Sequence, residues 1–459
     1  MTRERKYDVV VIGAGSAGVA AAVSSATAGA KTLLVERYPV LGGTTTVSGV
    51  AHFQIGPDVD GKPIVRGHYS NVMRELHERG VLRGRGFTGE VLKVVYLDML
   101  QQAGVDLLLH ALFTDVQKDG GRISEVAIET RSGLEVVHAA VVIDASADGD
   151  VGFAAGAPYE VGRFSDNTAQ PMTLYVTMKG VDYDVVSQLD SKDYFSLFER
   201  ELPHVHTAQV RLSYTPKFVV TPDGRLGFQM MHIRGLNGAD ADDLTRAEIM
   251  AHQQSYDIWQ FFKRHVPGCE NAILESTPFA IGIRETRRIM GEYVMSRADI
   301  VNCARFDDTT GRSNSFIDVH NPDGEGTLHE YVEPNNWYEI PHRALISRIV
   351  SNLYTVGRCM SCTHHALGSL REQPTCMIGG QAAGVGAAIA TKHGIGIRDI
   401  DITELQAELM RQGVDLGPRF EQIWPETPWF SKETGAKYGQ PTPDEWRAEK
   451  VTAATGAYR

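Results

Sequence analysis

A chain of 459 residues is too long for one small core, and 42% hydrophobic with 22% charged residues suits a globular protein of two or three packed subdomains. A formal net charge of −12 argues against a phosphate-tracking nucleic-acid surface, and no apolar run reaches the roughly 18 residues of a membrane span. Five cysteines in so long a chain fit a reducing compartment better than a disulfide framework, so a cytoplasmic location is expected.

The first element is "YDVVVIGAGSAGVAAAV", residues 7 to 23. A secretory leader would have a glycine-poor apolar core, whereas Gly13, Gly15 and Gly18 interrupt this one in the rhythm G-x-G-x-x-G. Val9 to Ile12 read as a strand buried on both faces, and an alanine-rich helix follows from Ser16 to about Ala28. A second strand, "KTLLVE", ends at Glu36, 18 residues after Gly18. This is the context a dinucleotide-binding unit needs. Gly13 permits the turn, Gly15 admits a pyrophosphate, Gly18 allows close packing, and Glu36 is placed for ribose hydroxyls.

Next comes "LGGTTTVSG" (Leu41 to Gly49), a second glycine pair suited to a longer dinucleotide than NAD. "GRGFTG" at 84 to 89 repeats the glycine pattern, but the polar "LHERGVLR" before it cannot be a buried strand, so it reads as a loop. Residues 104 to 136 read as a strand and then a β-meander turning at "KDGG" and "RSG". "AAVVIDASADGD" (Ala139 to Asp150) is a strand breaking into an acidic turn, and Thr168 to Asp182 reads as a strand entering a second unit. Residues 186 to 265 mix helical segments and turns; His204 and His206 share a strand face there, without a third metal ligand nearby. From Asn352 to Ala390 a strand, a loop and a small-residue helix starting near Thr375 follow one another, and that helix can aim its N-terminal dipole at a flavin. Asp401 to Gly413 is a capped helix, and the residues beyond it, with Trp424, Trp429 and Trp446, read as a tail on the surface or on a second subunit of a homo-oligomer.

Together these segments, with "GIRETRRIMGEY" (282 to 293), "FIDVHNPDGEG" (316 to 326), "YEIPHRALI" (338 to 346) and the "GR-C-S", "G-S-x-R" and "G-Q-A-A-G" pieces of residues 357 to 384, resemble the FAD-dependent oxidoreductase family of the glutathione-reductase-like superfamily. The resemblance implies an α/β fold: a Rossmann-type FAD-binding domain of parallel sheet plus β-meander with an inserted α+β substrate or cap domain. The expected pieces are 1–160 and 340–400 for the FAD domain, 161–339 for the cap, and 401–459 for the closing helix and tail. FAD would be held by Gly13, Gly15, Ser16, Gly18, Glu36, Arg37, Gly42, Gly43 and Thr44. Phe113 would meet the adenine, Asp148 and Gly149 would lie in the second FAD-contacting turn, and Arg358, Arg371 and Thr375 near the flavin. Similar sequences usually read "ATGDGD" where this chain has Ala145 to Asp150, and Ala147 in place of a glycine limits any positive-φ conformation in that turn.

The expected activity is hydride transfer between a small organic substrate and the flavin, with oxygen, a quinone or NAD(P) as partner oxidant or reductant. His364 or His365 is a candidate general base, the other being held by loop backbone, and His320 is a weaker candidate. Arg284, Arg287 and Arg288, spaced i, i+3, i+4, would share a helix face; they either grip a substrate carboxylate or pair with Glu285 and Glu292. Cys359 and Cys362 have redox-motif spacing, which admits a flavin–disulfide oxidoreductase as the alternative, small buried thiols being the plainer reading. A non-catalytic FAD-binding redox or regulatory subunit is the third. No metal is expected.

Overall fold

The computed structural model describes residues 3–54, 59, 63–82, 86–189, 200, 219–220, 224–228, 232–322 and 326–420. Its central sheet is built from β1 (Arg3–Ile12), β2 (Thr32–Val35), β3 (Asp106–Leu108), β4 (Leu112–Asp119), β5 (Arg122–Thr130) and β6 (Gly133–Asp144). Their spatial order is β3-β2-β1-β6-β5-β4, and the strand Leu353–Thr355 joins β6 in parallel. β1 runs parallel to both neighbours, with Val9 opposite Thr32 and Val141, whereas β6, β5 and β4 form the antiparallel meander. The apolar run of β1 is continuous because both faces are covered. Val9 and Val11 enter one core with Leu34 and Ile143, while Val10 and Ile12 enter the other with Leu33, Val35 and Val142.

The helix after β1, Ser16–Thr27, lies against the long helix Gln373–His393. A Cβ on Gly380 would stand 2.1 Å from the Ala17 carbonyl oxygen and one on Gly384 2.2 Å from that of Ala21. Small residues four apart on both helices therefore let the backbones touch. That contact fixes the N-terminus of a segment 357 residues downstream of Ser16, beside the first glycine loop, where Ser16 Oγ donates to Gln373 Oε1 at 3.2 Å.

A second core lies in the inserted region. The helix Ala241–His265 is capped by Asp240, whose side chain accepts from Asp242 N and Asp243 N. Its Ala247, Ala251, Ile258 and Phe262 pack on Val176, Met178 and Leu226. Those residues come from an antiparallel sheet ordered Ile273–Ser276, Val176–Lys179, Leu226–Phe228, Val219–Val220, which gives this region its α+β character.

Several elements differ from the sequence reading. The strand expected over Thr168 to Asp182 is confined to Val176–Lys179, with Met172 and Thr173 in isolated bridges. The three arginines do not share a helix: Arg287–Ile289 is a strand paired with Tyr159–Val161, so strand alternation separates the side chains. Residues 86 to 88 of the second glycine pattern are loop, and a helix opens at Gly89. Asp401 caps the helix Ile402–Arg411 through Thr403 N at 2.8 Å. His204, His206 and the tail with Trp424, Trp429 and Trp446 lie outside the described residues.

Candidate active site

The C-terminal ends of β1, β2 and β6 open onto one cavity, the place where open parallel sheets bind ligands. Its middle is made of bare backbone. Gly13 has φ +99°, and a Cβ there would lie 2.4 Å from the Ala145 carbonyl oxygen. Gly15 is different: a Cβ there would meet only Gly43 Cα, at 4.0 Å, so the loop leaves space in front of it. Gly42 N donates to the Ala14 carbonyl oxygen at 2.8 Å, stitching the second glycine pair to the first. The first turn of Ser16–Thr27 then offers N–H groups without intrahelical partners to that space.

At one end of the cavity stand Glu36, Arg37, Tyr38 and Phe113. Glu36 Oε2 accepts from Ala14 N at 2.7 Å and Oε1 from Tyr38 N at 2.9 Å, so the carboxylate braces the loop as well as facing the cavity. Burial pushes its pKa up, against those two bonds. Toward the middle, Arg358 lines the cavity with Nη2 3.2 Å from Asp148 Oδ1, while its buried Nη1 has no hydrogen-bond partner among the described residues. A buried guanidinium N–H beside a row of backbone amides suits an anion.

The other end collects side chains from three elements. The strand Ile317–His320 supplies Asp318 and His320, the 282–286 segment Arg284, and the N-terminus of the long helix Arg371, Glu372 and Gln373. Arg371 Nη2 donates to Asp318 Oδ2 at 2.9 Å, and His329 Nε2 lies 3.1 Å from Asp318 Oδ1. Burial opposes ionisation of Asp318, but His320, His329 and the permanent charge of Arg371 hold its carboxyl well below the usual range. Burial, reinforced by Arg284, pushes the His320 imidazole down to about 4, so it is neutral at pH 7.

The sequence-predicted residues divide accordingly. Gly13, Gly15, Ser16, Glu36, Arg37, Gly43, Thr44, Phe113, Arg358, Arg371, Arg284 and His320 line the cavity. Gly18 and Gly42 sit behind it; a Cβ on Gly18 would lie 1.8 Å from the Gly13 carbonyl oxygen. Asp148 stands behind Arg358, taking Thr286 Oγ1 at 2.9 Å, and Gly149 opens the short helix Asp150–Ala154 with φ +68°. Thr375 is buried, its hydroxyl 2.9 Å from Ser313 Oγ. His364 and His365 are not on a loop: they begin the helix His364–Leu370, away from the cavity lining. His364 Nδ1 is 2.8 Å from Glu285 Oε2, and His365 points outward.

Arg287 and Arg288 do not line the cavity and are paired elsewhere. Arg287 Nη1 donates to Asp150 Oδ1 at 3.1 Å, and Arg288 pairs with Glu285 while donating to the carbonyls of Cys362 and Gly162 at 2.9 Å. Sequence reasoning missed Asp318, Glu372 and Gln373. Gln373 Oε1 takes Thr45 Oγ1 and Ser16 Oγ, tying both glycine loops to the long helix. Pro374, in the first turn of a helix, was the available signal that the helix starts two residues before Thr375.

The turn where Ala147 replaces glycine is informative. Ala147 adopts φ +72°. An L-residue there costs about 1–2 kcal/mol, partly offset by the entropy glycine loses on folding. Ala147→Gly is therefore expected to raise stability by about 0.5–1 kcal/mol, read as a higher urea midpoint at unchanged slope. An unchanged or lower midpoint would show that the turn carries no strain.

A family model described as FAD-dependent oxidoreductase matches residues 8–409. The chain belongs to the FAD-dependent oxidoreductase family. It is an enzyme of that kind with FAD as its cofactor, on a Rossmann-like fold. Solved structures similar to it include a geranylgeranyl bacteriochlorophyll reductase-like protein from Thermoplasma acidophilum, at 13% identity over 89% of this chain and 83% of that one, TM-score 0.41. A flavin-dependent brominase matches at 13% over 88% and 83%, TM-score 0.43. The anhydrotetracycline hydroxylase OxyS of Streptomyces rimosus matches at 13% over 89% and 66%, TM-score 0.40.

The residues present fit FAD. The Gly15–Gly43 gap is a cradle that a larger side chain would fill, and the open N–H of Arg358 adds an anion donor beside it. Among the described residues no helix is long and apolar enough to cross a membrane, and no group of three His, Cys, Asp or Glu could hold a metal.

Proposed function

We propose that this FAD-dependent oxidoreductase transfers a hydride between a small organic substrate and its flavin, with the substrate in the Arg284–Asp318–His320–Arg371 end of the cavity. The observation that carries the reading is a shared lining: Glu36, the paired glycine loops, Arg358 and that charged group all line one cavity. In this reading Gly13 to Ser16, Gly43 and Thr44 hold the pyrophosphate, with Arg37 and Phe113 toward the adenosine and Arg358 toward the flavin. When bound, FAD supplies the two-electron acceptor that no protein side chain provides.

The chain's own residues prepare the substrate end. Asp318, kept ionised, orients Arg371 through the 2.9 Å bond and leaves that guanidinium facing the cavity. His320 stays neutral and packs edge-on to His232, with ring centroids 4.9 Å apart. Two permanent cations, Arg284 and Arg371, beside a neutral imidazole suit a polar or anionic small molecule.

The disulfide alternative has less support. Cys359 and Cys362 are buried thiols; burial raises Cys359 well above its ordinary pKa and pushes Cys362 up to about 12, the reverse of an activated thiolate. Cys359 Sγ is turned to the Val356 carbonyl oxygen at 3.2 Å rather than into the cavity. The test is anaerobic titration of the yellow holoprotein with alcohols, amines, hydroxy acids and enones, following flavin absorbance while counting free thiols. Bleaching with a constant thiol count is expected. New thiols appearing on reduction would favour the disulfide reading, and no bleaching by any compound would sink hydride transfer from these classes.

A further inference from the structure

The long helix Gln373–His393 begins with a residue that does not do the usual work of its position. Glu372 is the N-cap, yet its side chain makes no capping hydrogen bond. A capping carboxylate normally turns back onto the N–H groups of the next turn. This one faces the cavity instead, beside Arg284, Asp318 and Arg371. Its ion pair with Arg371, Nη1 to Oε1 at 3.5 Å, is longer than a charge-assisted hydrogen bond, and only 14% of the side chain is exposed.

We infer that Glu372 is the acid–base residue of the substrate pocket, exchanging a proton with a hydroxyl or amine on the carbon that undergoes oxidation or reduction. The inference deepens the hydride-transfer reading and rests on it. Loss of a hydride from a carbon bearing O–H or N–H leaves a proton to be removed, and a carboxylate in the pocket is the simplest acceptor. For an alcohol, the O–H bond breaks and its proton passes to a Glu372 oxygen. The O–H pair becomes the C=O π bond as the C–H bond releases its pair with hydrogen to the enzyme's oxidant. The reverse sequence reduces a carbonyl.

The other acidic group at this end cannot take the role. Asp318 is committed to Arg371, His320 and His329 and stays ionised. His320 is neutral through the physiological range. Glu372 differs because burial outweighs its cationic neighbours. Burial raises it, Arg371 lowers it, Asp318 raises it and Arg284 lowers it, and the result is a carboxyl pushed up to about 7. Cys376 from the same helix and Tyr338 from the strand Tyr338–Pro341 also feel its charge, and both are neutral at that pH. A general acid–base group works best when its pKa lies near the operating pH.

The direct test is infrared spectroscopy of the FAD-loaded protein between about pH 5 and pH 9. A protonated-carboxyl stretch should disappear on passing through about 7 and be missing from Glu372→Gln, whereas an ordinary carboxyl titrates near about 4. With a substrate that bleaches the flavin, Glu372→Gln should retain its FAD and lose about 100-fold or more in kcat/KM. The rise of the oxidation rate with pH through about 7 should vanish with it, and Glu372→Asp should restore that rise in part. Activity within about threefold of wild type with the pH limb intact, or a carboxyl titrating near about 4, would overturn the inference. If no substrate bleaches the wild type, the hydride-transfer reading fails, and the infrared titration alone still decides whether Glu372 is poised.

Discussion

Gly15→Val is expected to give a folded protein that is purified without colour. The two glycines of the first turn look alike in sequence and are opposite in consequence. At Gly13 a side chain would run into the Ala145 carbonyl with φ +99°, so Gly13 variants confuse binding with folding. Gly15 has φ −70°, a conformation any L-residue adopts, and its added Cβ meets only Gly43 Cα at 4.0 Å. A valine side chain at this position therefore fits the backbone and projects its methyl groups into the space the pyrophosphate would take. Overpacking of this kind costs roughly 1–3 kcal/mol or more, which is about 5- to 150-fold in affinity. The check is two measurements on one sample: FAD affinity by fluorescence quenching and the urea midpoint of the apoprotein. Wild-type FAD affinity in the Gly15→Val protein would mean that the cofactor does not pass between the glycine loops.

The half of the site made by local sequence is legible in the chain itself. A glycine turn between a doubly buried strand and a small-residue helix has one dominant solution, so Gly13 to Ser16 and Glu36 are found from spacing alone. The meander is equally readable because β4 to β6 are joined by tight turns at residues 120–121 and 131–132. The substrate end is not. Asp318, Glu372 and Arg284 come from three separate elements, and their meeting depends on the packing of Gly380 and Gly384 against Ala17 and Ala21, which no local window contains. His364 is attractive for the wrong reason. Proximity in sequence to Arg358 and Arg371 suggests the cavity, but the Thr363 cap starts a helix that turns His364 toward Glu285. The arginine cluster misleads similarly: i, i+3, i+4 spacing implies one face only on a helix, and residues 287–289 form a strand.

That rearrangement sets the second large effect. Glu285 is 1% exposed and holds three partners: Arg288 through Nη1, His364 Nδ1 at 2.8 Å and Gln170 N at 3.1 Å. Among the described residues, Arg288, also 1% exposed, keeps two backbone carbonyls and the outlying Glu160 at 3.5 Å if Glu285 is removed. An uncompensated buried charge costs about 3–5 kcal/mol, which is a large share of the stability of an ordinary domain. Glu285→Ala is thus expected to lower the urea midpoint by that equivalent or to leave the protein insoluble. Glu285→Gln, which preserves hydrogen-bonding atoms and removes only the charge, should lose less. Pairing Glu285→Leu with Arg288→Met should recover part of the loss, because deleting both charges removes the desolvated cation along with its partner. Material that does fold should bind FAD normally, since neither side chain lines the cavity. Full recovery in the doubly substituted protein would assign the whole cost to Arg288. A persistent deficit would measure what His364 and Gln170 lose, and a Glu285→Ala protein as stable as wild type would refute the network as a strut between the inserted region and the 357–371 segment.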